Sequence, residues 1–161
     1  MSMCLLIFQL DGQSYALRLS AVEKIIPAVA VTALPRKPDL VLGVISVHGR
    51  IVPVVDIRKR FCLPEREMQL NDRMIIARTA RRTLALLVDS TTGVVELSKD
   101  DVVGTGAIVP NLGYVEGAAR LEDGIIVIHD IDRFLSMEEE KTLDAACDAA
   151  ICKGGNQGSL K

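Results

Sequence analysis

The chain has 161 residues, of which 49% are apolar and 3% aromatic, and its formal net charge is -2. That length holds one domain of ordinary size, or two small barrels that share a core. Because the chain has no Trp and is close to neutral, it lacks the stacking platforms and the basic surface of a nucleic-acid-binding protein. We therefore predict no nucleic-acid partner.

The first part of the chain has the pattern of a β-hairpin. An apolar run from Met3 to Leu10 ends at Asp11-Gly12, and a return strand follows from Ser14 to Leu19. We expect one helical turn and then a short strand between Ser20 and Ile26, because Pro27 leaves no room for a longer helix. The prolines between Leu34 and Pro38 predict an extended loop.

The central stretch, Val41 to Phe61, predicts two apolar strands joined at His48-Gly49-Arg50. A glycine stands at the junction, where a tight hairpin needs positive φ. Pro53 has no N–H to donate, which predicts that this part of the strand lies at a sheet edge or at a bulge.

A polar stretch from Pro64 to Asp72 precedes a second set of strands. Arg73 to Ala80 and Thr83 to Val88 predict a second hairpin, and Gly93 to Leu97 another short strand. Asp100 to Gly113 is rich in glycine and proline and is predicted to be a loop. Tyr114 to Leu121 and Ile125 to Ile131 then predict a hairpin around Asp123-Gly124.

The pattern of the central stretch returns 74 positions later without a gap. The matched pairs are Gly43 and Gly117, Ile51 and Ile125, Asp56 and Asp130, and Ile57 and Ile131. Two copies are too few for a solenoid, so we predict two similar β-modules with the paired hairpins in equivalent places. Each repeated aspartate is expected to cap the following turn through its carboxylate.

The last part of the chain predicts a helix, opened by the capping box Ser136-Met-Glu-Glu139. An apolar stripe at helical spacing consists of Leu143, Ala146, Cys147, Ala150 and Ile151. We expect this stripe to dock on the protein's own barrel; the alternative is a partner-binding helix. Residues 153–161 are expected to be disordered.

The predicted organisation is therefore a single domain over residues 1–152 with a C-terminal helix at 136–152. Its two β-barrel subdomains would span about 3–70 and 71–135, with exchange of strands between them left open.

Metal, cofactor and membrane chemistry have little support in the sequence. The cysteines at positions 4, 62, 147 and 152 form no C-x-x-C pair, and there are only two histidines. We predict no metal site and no cofactor. With no leader pattern, and no apolar run near the roughly 18 residues of a membrane helix, we expect a cytoplasmic protein with reduced thiols and no direct membrane insertion.

Catalysis has equally little support. His129 and Asp130 could suggest a base and its orienting carboxylate, but adjacent strand residues point to opposite faces. No nucleophile motif accompanies them, so we predict no catalytic residues. His129 is expected to be half-exposed and to titrate near physiological pH. A small barrel that binds a ligand or acts on a substrate in its own cleft remains the second hypothesis.

Charge along the chain is uneven. Arg36 to Arg60 carries a local charge of +4, and Ser136 to Asp148 a local charge of -4. This asymmetry suits a protein partner, although a solvated face is the commoner explanation of a charge run.

The residues Leu42 to Phe61 resemble the signature of CheW-like chemotaxis coupling proteins, G-V-x-N-x-R-G-x-I-x-P-V-x-D-L-R-x-x-F. The resemblance extends over roughly Leu5 to Leu135. It implies a mainly β fold of two interleaved five-stranded SH3-like barrels around a shared core, with a C-terminal α-helix. Family members are not enzymes. They are adaptors that couple chemoreceptors (methyl-accepting chemotaxis proteins) to a CheA-type histidine kinase in receptor arrays.

The resemblance also implies site residues and partners. The receptor-binding residues would be Val22, Lys24, Gly43, Val44, His48, Gly49 and Arg50. The kinase-binding candidates are Val102, Val103, Ile108 and Val109. The implied partners are the cytoplasmic tip of a chemoreceptor and the kinase regulatory domain, and the protein would be a monomer in isolation, recruited to membrane-bound receptor arrays.

Three positions depart from the family pattern. Lys24 stands where relatives have an acidic residue, with Glu23 one position earlier. His48 stands where they have arginine, with Arg50 just past the glycine, and Ser46 replaces the family asparagine. The chain could therefore be a divergent relative that serves another receptor class or another chemosensory-type pathway.

Overall fold

The computed structural model describes residues 2–61, 63–98, 100, 102–104, 115–121, 124–135 and 137–146. Within these ranges the strands are β1 (Ser2–Leu10), β2 (Gln13–Arg18), β3 (Val22–Pro27), β4 (Val41–Val47), β5 (Arg50–Val55), β6 (Arg73–Arg78), β7 (Thr83–Val88), β8 (Ser90–Ser98), β9 (Val102–Gly104), β10 (Val115–Leu121) and β11 (Gly124–His129). The helical elements are α1 (Ile57–Arg60), α2 (137–146), and the 3-10 turns Leu19–Ala21 and Ile131–Arg133.

The strands form two sheets that each draw on both halves of the chain. Sheet A has the order β8-β1-β2-β11-β10-β9, and sheet B the order β3-β6-β7-β5-β4. After the first hairpin, β3 crosses to pair with β6, and after the second hairpin, β8 crosses back to pair with β1. The predicted fold class, mainly β with two interleaved barrels and a C-terminal helix, is confirmed, and sheet A has six strands where five were predicted.

The predicted hairpins form where turn chemistry indicates them. Asp11 and Gly12 take positive φ between β1 and β2, and β6 and β7 are joined across Arg81 and Arg82. The strand predicted at Gly93 to Leu97 is confirmed and is longer than predicted, as β8. The prediction of a loop after Asp100 is wrong at β9, which pairs with β10 as a sixth strand of sheet A. Pairing with a neighbouring strand overrides the weak local preference of a glycine-rich segment.

The repeat-related elements occupy equivalent places, as predicted. The register shifts before Gly43 in β4 and before Gly117 in β10. Asp56 accepts a hydrogen bond from the Arg58 N–H at 3.1 Å, and Asp130 one from the Asp132 N–H at 3.0 Å. Both aspartates thus cap a short helical turn, which satisfies N–H groups that no strand can pair.

Pro53 does not lie on an edge strand, since β5 is flanked by β7 and β4. Its partner Val44 exchanges backbone hydrogen bonds with Thr32, and therefore not with Pro53. On the other side, the pairing of β5 with β7 begins only at Val54. The missing N–H is thus tolerated because no ladder hydrogen bond is required of it.

The core consists of three clusters of buried side chains. One is built from sheet A alone, one from sheet B alone, and the third from both sheets. In β1, Leu5 and Ile7 face the sheet A cluster, whereas Leu6 and Phe8 face the shared cluster. Strands buried on both faces read as continuous apolar runs, and this explains why alternation is weak in the sequence.

His129 is 4% exposed, so the expectation of a half-exposed histidine is wrong. Its ring stacks on Phe61 with a centroid distance of 4.3 Å, and it lies 5.3 Å from the ring of Tyr15. Its repeat counterpart, Val55, is also fully buried. Burial lowers the pKa of His129 from its ordinary value to about 3, because the imidazolium would lose its hydration.

We predict that His129→Leu makes the protein more resistant to acid. The unfolded chain takes up a proton on this imidazole below about pH 6.5, whereas the folded protein does so only near pH 3. This group therefore leaves the free energy of unfolding unchanged above about pH 6.5 and lowers it as pH falls, by about 2 kcal/mol at about pH 5. Urea titrations of both proteins at about pH 8 and about pH 5 measure the effect. Equal acid losses in both would contradict it.

Helix α2 packs against the protein's own barrels, as expected. Leu143 and Ala146 are buried in the shared cluster. Arg82, in the turn between β6 and β7, contacts Glu140 with Nε–Oε1 at 3.1 Å and also pairs with Asp144. The other residues of the predicted stripe, Cys147, Ala150 and Ile151, lie outside the described residues.

Candidate protein-interaction surface

The turn between β4 and β5 places His48 and Gly49 on the protein surface. Their φ angles are 49° and 80°, the left-handed values that both central residues of a type I′ hairpin turn require. Gly49 adopts this conformation without steric cost, because it has no Cβ. The geometry of the turn then sets the direction of Arg50, the first residue of β5.

Glu23 connects β3 to the β4–β5 hairpin. Its Oε2 lies 3.0 Å from Nη2 of Arg50, and its Oε1 lies 3.9 Å from Nε of Arg78 on β6. In the order of sheet B, β3 is one edge strand and β5 is next to the other, so this contact forms only because the sheet curls. We refer to Glu23, Arg50 and Arg78 as the Glu23 cluster.

A β-bulge in β3 explains why Glu23 makes this contact. Val22 pairs with Ala77 and Lys24 pairs with Ile76, so Glu23 is the extra residue between them. A bulge changes the direction of the side chain at the inserted position. Val22 and Lys24 are half-buried on either side of Glu23, and all three therefore lie at the rim of sheet B.

Gly43 is buried beneath the loop that follows β3. A Cβ at this position would lie 2.1 Å from the carbonyl oxygen of Thr32 and 2.8 Å from Cγ1 of Val31. Thr32 and Val44 exchange two backbone hydrogen bonds of 2.9 Å, which hold the loop over the strand. Gly43 thus permits a close backbone approach, and the neighbouring Val44 is half-buried against the shared cluster.

A cleft of about 250 Å³ lies beside Arg78, between elements of the two barrels. The carboxylates in it are already engaged. Asp130 accepts a hydrogen bond from the Asp132 N–H, and its Oδ2 lies 3.4 Å from Nε of Arg133. Asp132 accepts a hydrogen bond of 2.7 Å from the Ala80 N–H. Since the pKa of His129 at the cleft is lowered to about 3 by burial, its imidazole is neutral at physiological pH.

Metal and membrane sites receive no support from the described ranges. They contain no group of three or more His, Cys, Asp or Glu side chains placed to hold a metal ion. The helices in the same ranges are too short or too polar for a membrane-spanning segment.

The kinase-binding candidates fall partly outside the described residues. Val102 and Val103 belong to β9, the outermost strand of sheet A, where they pair with Ala119 and Ala118. Ile108 and Val109 lie outside the described residues. Among the described residues, the receptor-binding candidates lie on sheet B and the kinase-binding candidates on the edge strand β9 of sheet A.

Sequence reasoning missed the role of Arg78 beside the candidate surface. Arg78 is 55 positions from Glu23 and belongs to no recognisable motif, so nothing in its neighbourhood indicated the contact. The sequence pattern also does not indicate the pairing of Glu23 with Arg50, although both residues are displaced from the family pattern.

Comparison with known proteins gives consistent results. The chain is 27% identical over 141 residues to the chemotaxis protein CheW of Klebsiella aerogenes. This match covers 86% of the present chain and 85% of that protein. It is also 27% identical over 139 residues to the chemotaxis protein CheW of Rhizobium meliloti, and that match covers 85% of the present chain and 90% of the relative.

A similar architecture occurs in a solved structure. The crystal structure of the scaffolding protein TtCheW from Thermoanaerobacter tengcongensis matches with a TM-score of 0.79 and 25% identity, covering 86% of this chain and 96% of that one. The model of the CheW-like domain matches residues 5–139. The chain therefore belongs to the CheW-like domain family, whose members are non-enzymatic scaffold proteins of chemotaxis.

Proposed function

We propose that this protein is a chemotaxis adaptor that couples chemoreceptor tips to the regulatory domain of a CheA-type histidine kinase. The observation that carries the proposal is the family match over residues 5–139, which includes the hairpin that carries the exposed β4–β5 turn. In this role the protein is cytoplasmic and is recruited to receptor arrays at the membrane.

The receptor-binding surface is the rim of sheet B. Exposed His48, Gly49 and Arg50 form one side of it, and the half-buried Val22 and Val44 supply apolar contact area beside them. Apolar area supplies affinity, while the charges at the rim select the partner and its orientation. A receptor helix with an apolar ridge flanked by acidic side chains fits this arrangement.

The kinase-binding surface of this proposal lies around β9, the outermost strand of sheet A. An outermost strand has backbone N–H and C=O groups with which a strand of a second barrel can pair. Val102, Val103, Ile108 and Val109 are the proposed contacts. Two surfaces on different sheets would let the protein hold receptor and kinase at once.

A related alternative is a CheW-like scaffold of another chemosensory-type pathway. Lys24 and His48 replace the acidic residue and the arginine of the family pattern, and in this chain Glu23 and Arg50 form an ion pair at the rim. This changed charge pattern favours a receptor class that differs from those of the relatives.

The proposal predicts two binding activities that separate by mutation. The wild type should capture a receptor tip fragment and a kinase regulatory domain together, measured by pull-down and titration calorimetry. Arg50→Ala should weaken receptor binding by about tenfold and leave kinase binding intact. Val102→Asp with Ile108→Asp should do the reverse.

Circular dichroism spectra of these variants should match the wild type. A wild type that binds neither partner but turns over a small substrate would support the ligand-binding or catalytic hypothesis instead. Loss of both activities in each folded variant would contradict the separation of the surfaces.

A further inference from the structure

The two cations of the Glu23 cluster share one internal counter-ion. Oε2 of Glu23 is within 3.0 Å of Arg50, whereas its Oε1 makes only a long contact of 3.9 Å with Arg78. Together the three side chains carry a charge of +1, and Lys24 lies next to them on β3. The cluster is therefore cationic, but Arg50, the arginine nearer to Glu23, is already paired with that carboxylate.

The Glu23 side chain is less exposed than those of the two arginines that it contacts. The Glu23 side chain is 29% exposed, whereas those of Arg50 and Arg78 are 48% and 72% exposed. A partner that approaches from solvent therefore reaches the guanidinium groups first. The five N–H donors of each guanidinium form a planar fork, so an arginine can exchange one carboxylate for another without moving its backbone.

We propose that Glu23 acts as an intramolecular competitor for an acidic side chain of the bound partner. In the free protein Glu23 occupies Arg50. In the complex a carboxylate on the partner helix lies between Arg50 and Arg78, and Glu23 gives up part of its contact. The proposal rests on the proposed function, because it assigns the Glu23 cluster to the receptor-binding surface. It makes Glu23 a residue that sets affinity and selects partners with an acidic side chain at this point.

The test compares Glu23→Gln with Glu96→Gln in titrations against a receptor tip fragment. Glu96 is an exposed strand glutamate of β8, so both changes raise the net charge by one, and any non-specific attraction is matched. Since exposed ion pairs are weak, Glu23→Gln should bind about twofold to fivefold tighter than wild type, and Glu96→Gln should bind as wild type does.

A double-mutant cycle assigns the effect to Arg50. In an Arg50→Gln background, adding Glu23→Gln should change the affinity by less than half as much as it does in the wild type. Retention of the full gain there would overturn the competition for Arg50. The gain should also shrink at high salt, because it arises from exposed charges.

The outcomes separate the two proposals. Receptor binding by the wild type, with Glu23→Gln no tighter than Glu96→Gln, would overturn the competition alone. Weaker binding by Glu23→Gln would also overturn it, since Glu23 would then contact a partner cation directly. Absence of binding by both the wild type and Glu23→Gln would refute the receptor-binding function and the competition with it.

Discussion

The Gly43→Ala variant is expected to unfold at a much lower denaturant concentration than the wild type. The added Cβ would lie 2.1 Å from the Thr32 carbonyl oxygen, and that oxygen cannot move away freely because the Thr32 backbone is bonded twice to Val44. Either the loop leaves β4 and loses both hydrogen bonds, or the strand shifts. We expect a loss of about 2–4 kcal/mol in the free energy of unfolding, measured by urea titration.

Gly93→Ala is a matched control for the steric part of this effect. Gly93 also adjoins a register shift and has a similar φ of 147°, against 156° for Gly43, but an added Cβ there meets nothing within 4 Å. It should cost only about 1 kcal/mol, from backbone strain alone. Equal losses in the two variants would show that the Thr32 loop moves aside easily, and the proposed close approach would then be unimportant.

The Asp89→Ala variant is expected to show the second large loss, because Asp89 joins four segments of the chain. Its carboxylate accepts hydrogen bonds from Arg58, from Arg66 at 2.6 Å and from the Asp11 N–H at 2.8 Å. Burial alone would raise the pKa of Asp89, but these donors outweigh it and hold the pKa below its usual range. Without Asp89, the buried guanidinium of Arg58 loses its carboxylate partner.

We expect Asp89→Ala to lower the free energy of unfolding by about 2–3 kcal/mol at neutral pH. Removing one member of a fully buried pair costs about 3–5 kcal/mol, and the value is reduced here because the Asp89 side chain is 26% exposed. The lowered pKa means that this stabilisation is complete above the pKa of an unfolded aspartate, and it is lost as pH falls through the folded pKa.

A second substitution distinguishes an unpaired charge from a general packing defect. Adding Arg58→Met to Asp89→Ala removes the stranded cation, so part of the lost stability should return. Asp39→Ala, an exposed aspartate, should change stability by less than about 0.5 kcal/mol. If Arg58→Met deepens the loss instead, the guanidinium is held mainly by other contacts.

The sequence by itself determined the local geometry of the protein. Asp11-Gly12 and His48-Gly49 produce hairpins because residues that tolerate positive φ stand between apolar runs. Asp56 and Asp130 cap the turns that follow them through hydrogen bonds to an N–H only two residues away. Interactions of such short range depend on the residues themselves, and this is why the repeat and its equivalent places were predictable.

The sequence also indicated the family, since the hairpin motif combines several such local constraints in one stretch. The residues of the receptor-binding surface could be named through that resemblance. Their spatial relation could not, because pattern and spacing do not show how a sheet curls.

Only the tertiary structure decided which strands pair across the chain and what covers each face. β3 and β8 have ordinary strand sequences, and their exchange between the sheets follows from where apolar faces find partners. His129 is buried because the shared cluster covers the end of β11, a property of its neighbours and not of its own segment. The contact between Glu23 and Arg50 spans 27 positions and exists because closure of sheet B brings its two edges together. Burial and long-range ion pairs depend on this closure, whereas turns and caps do not.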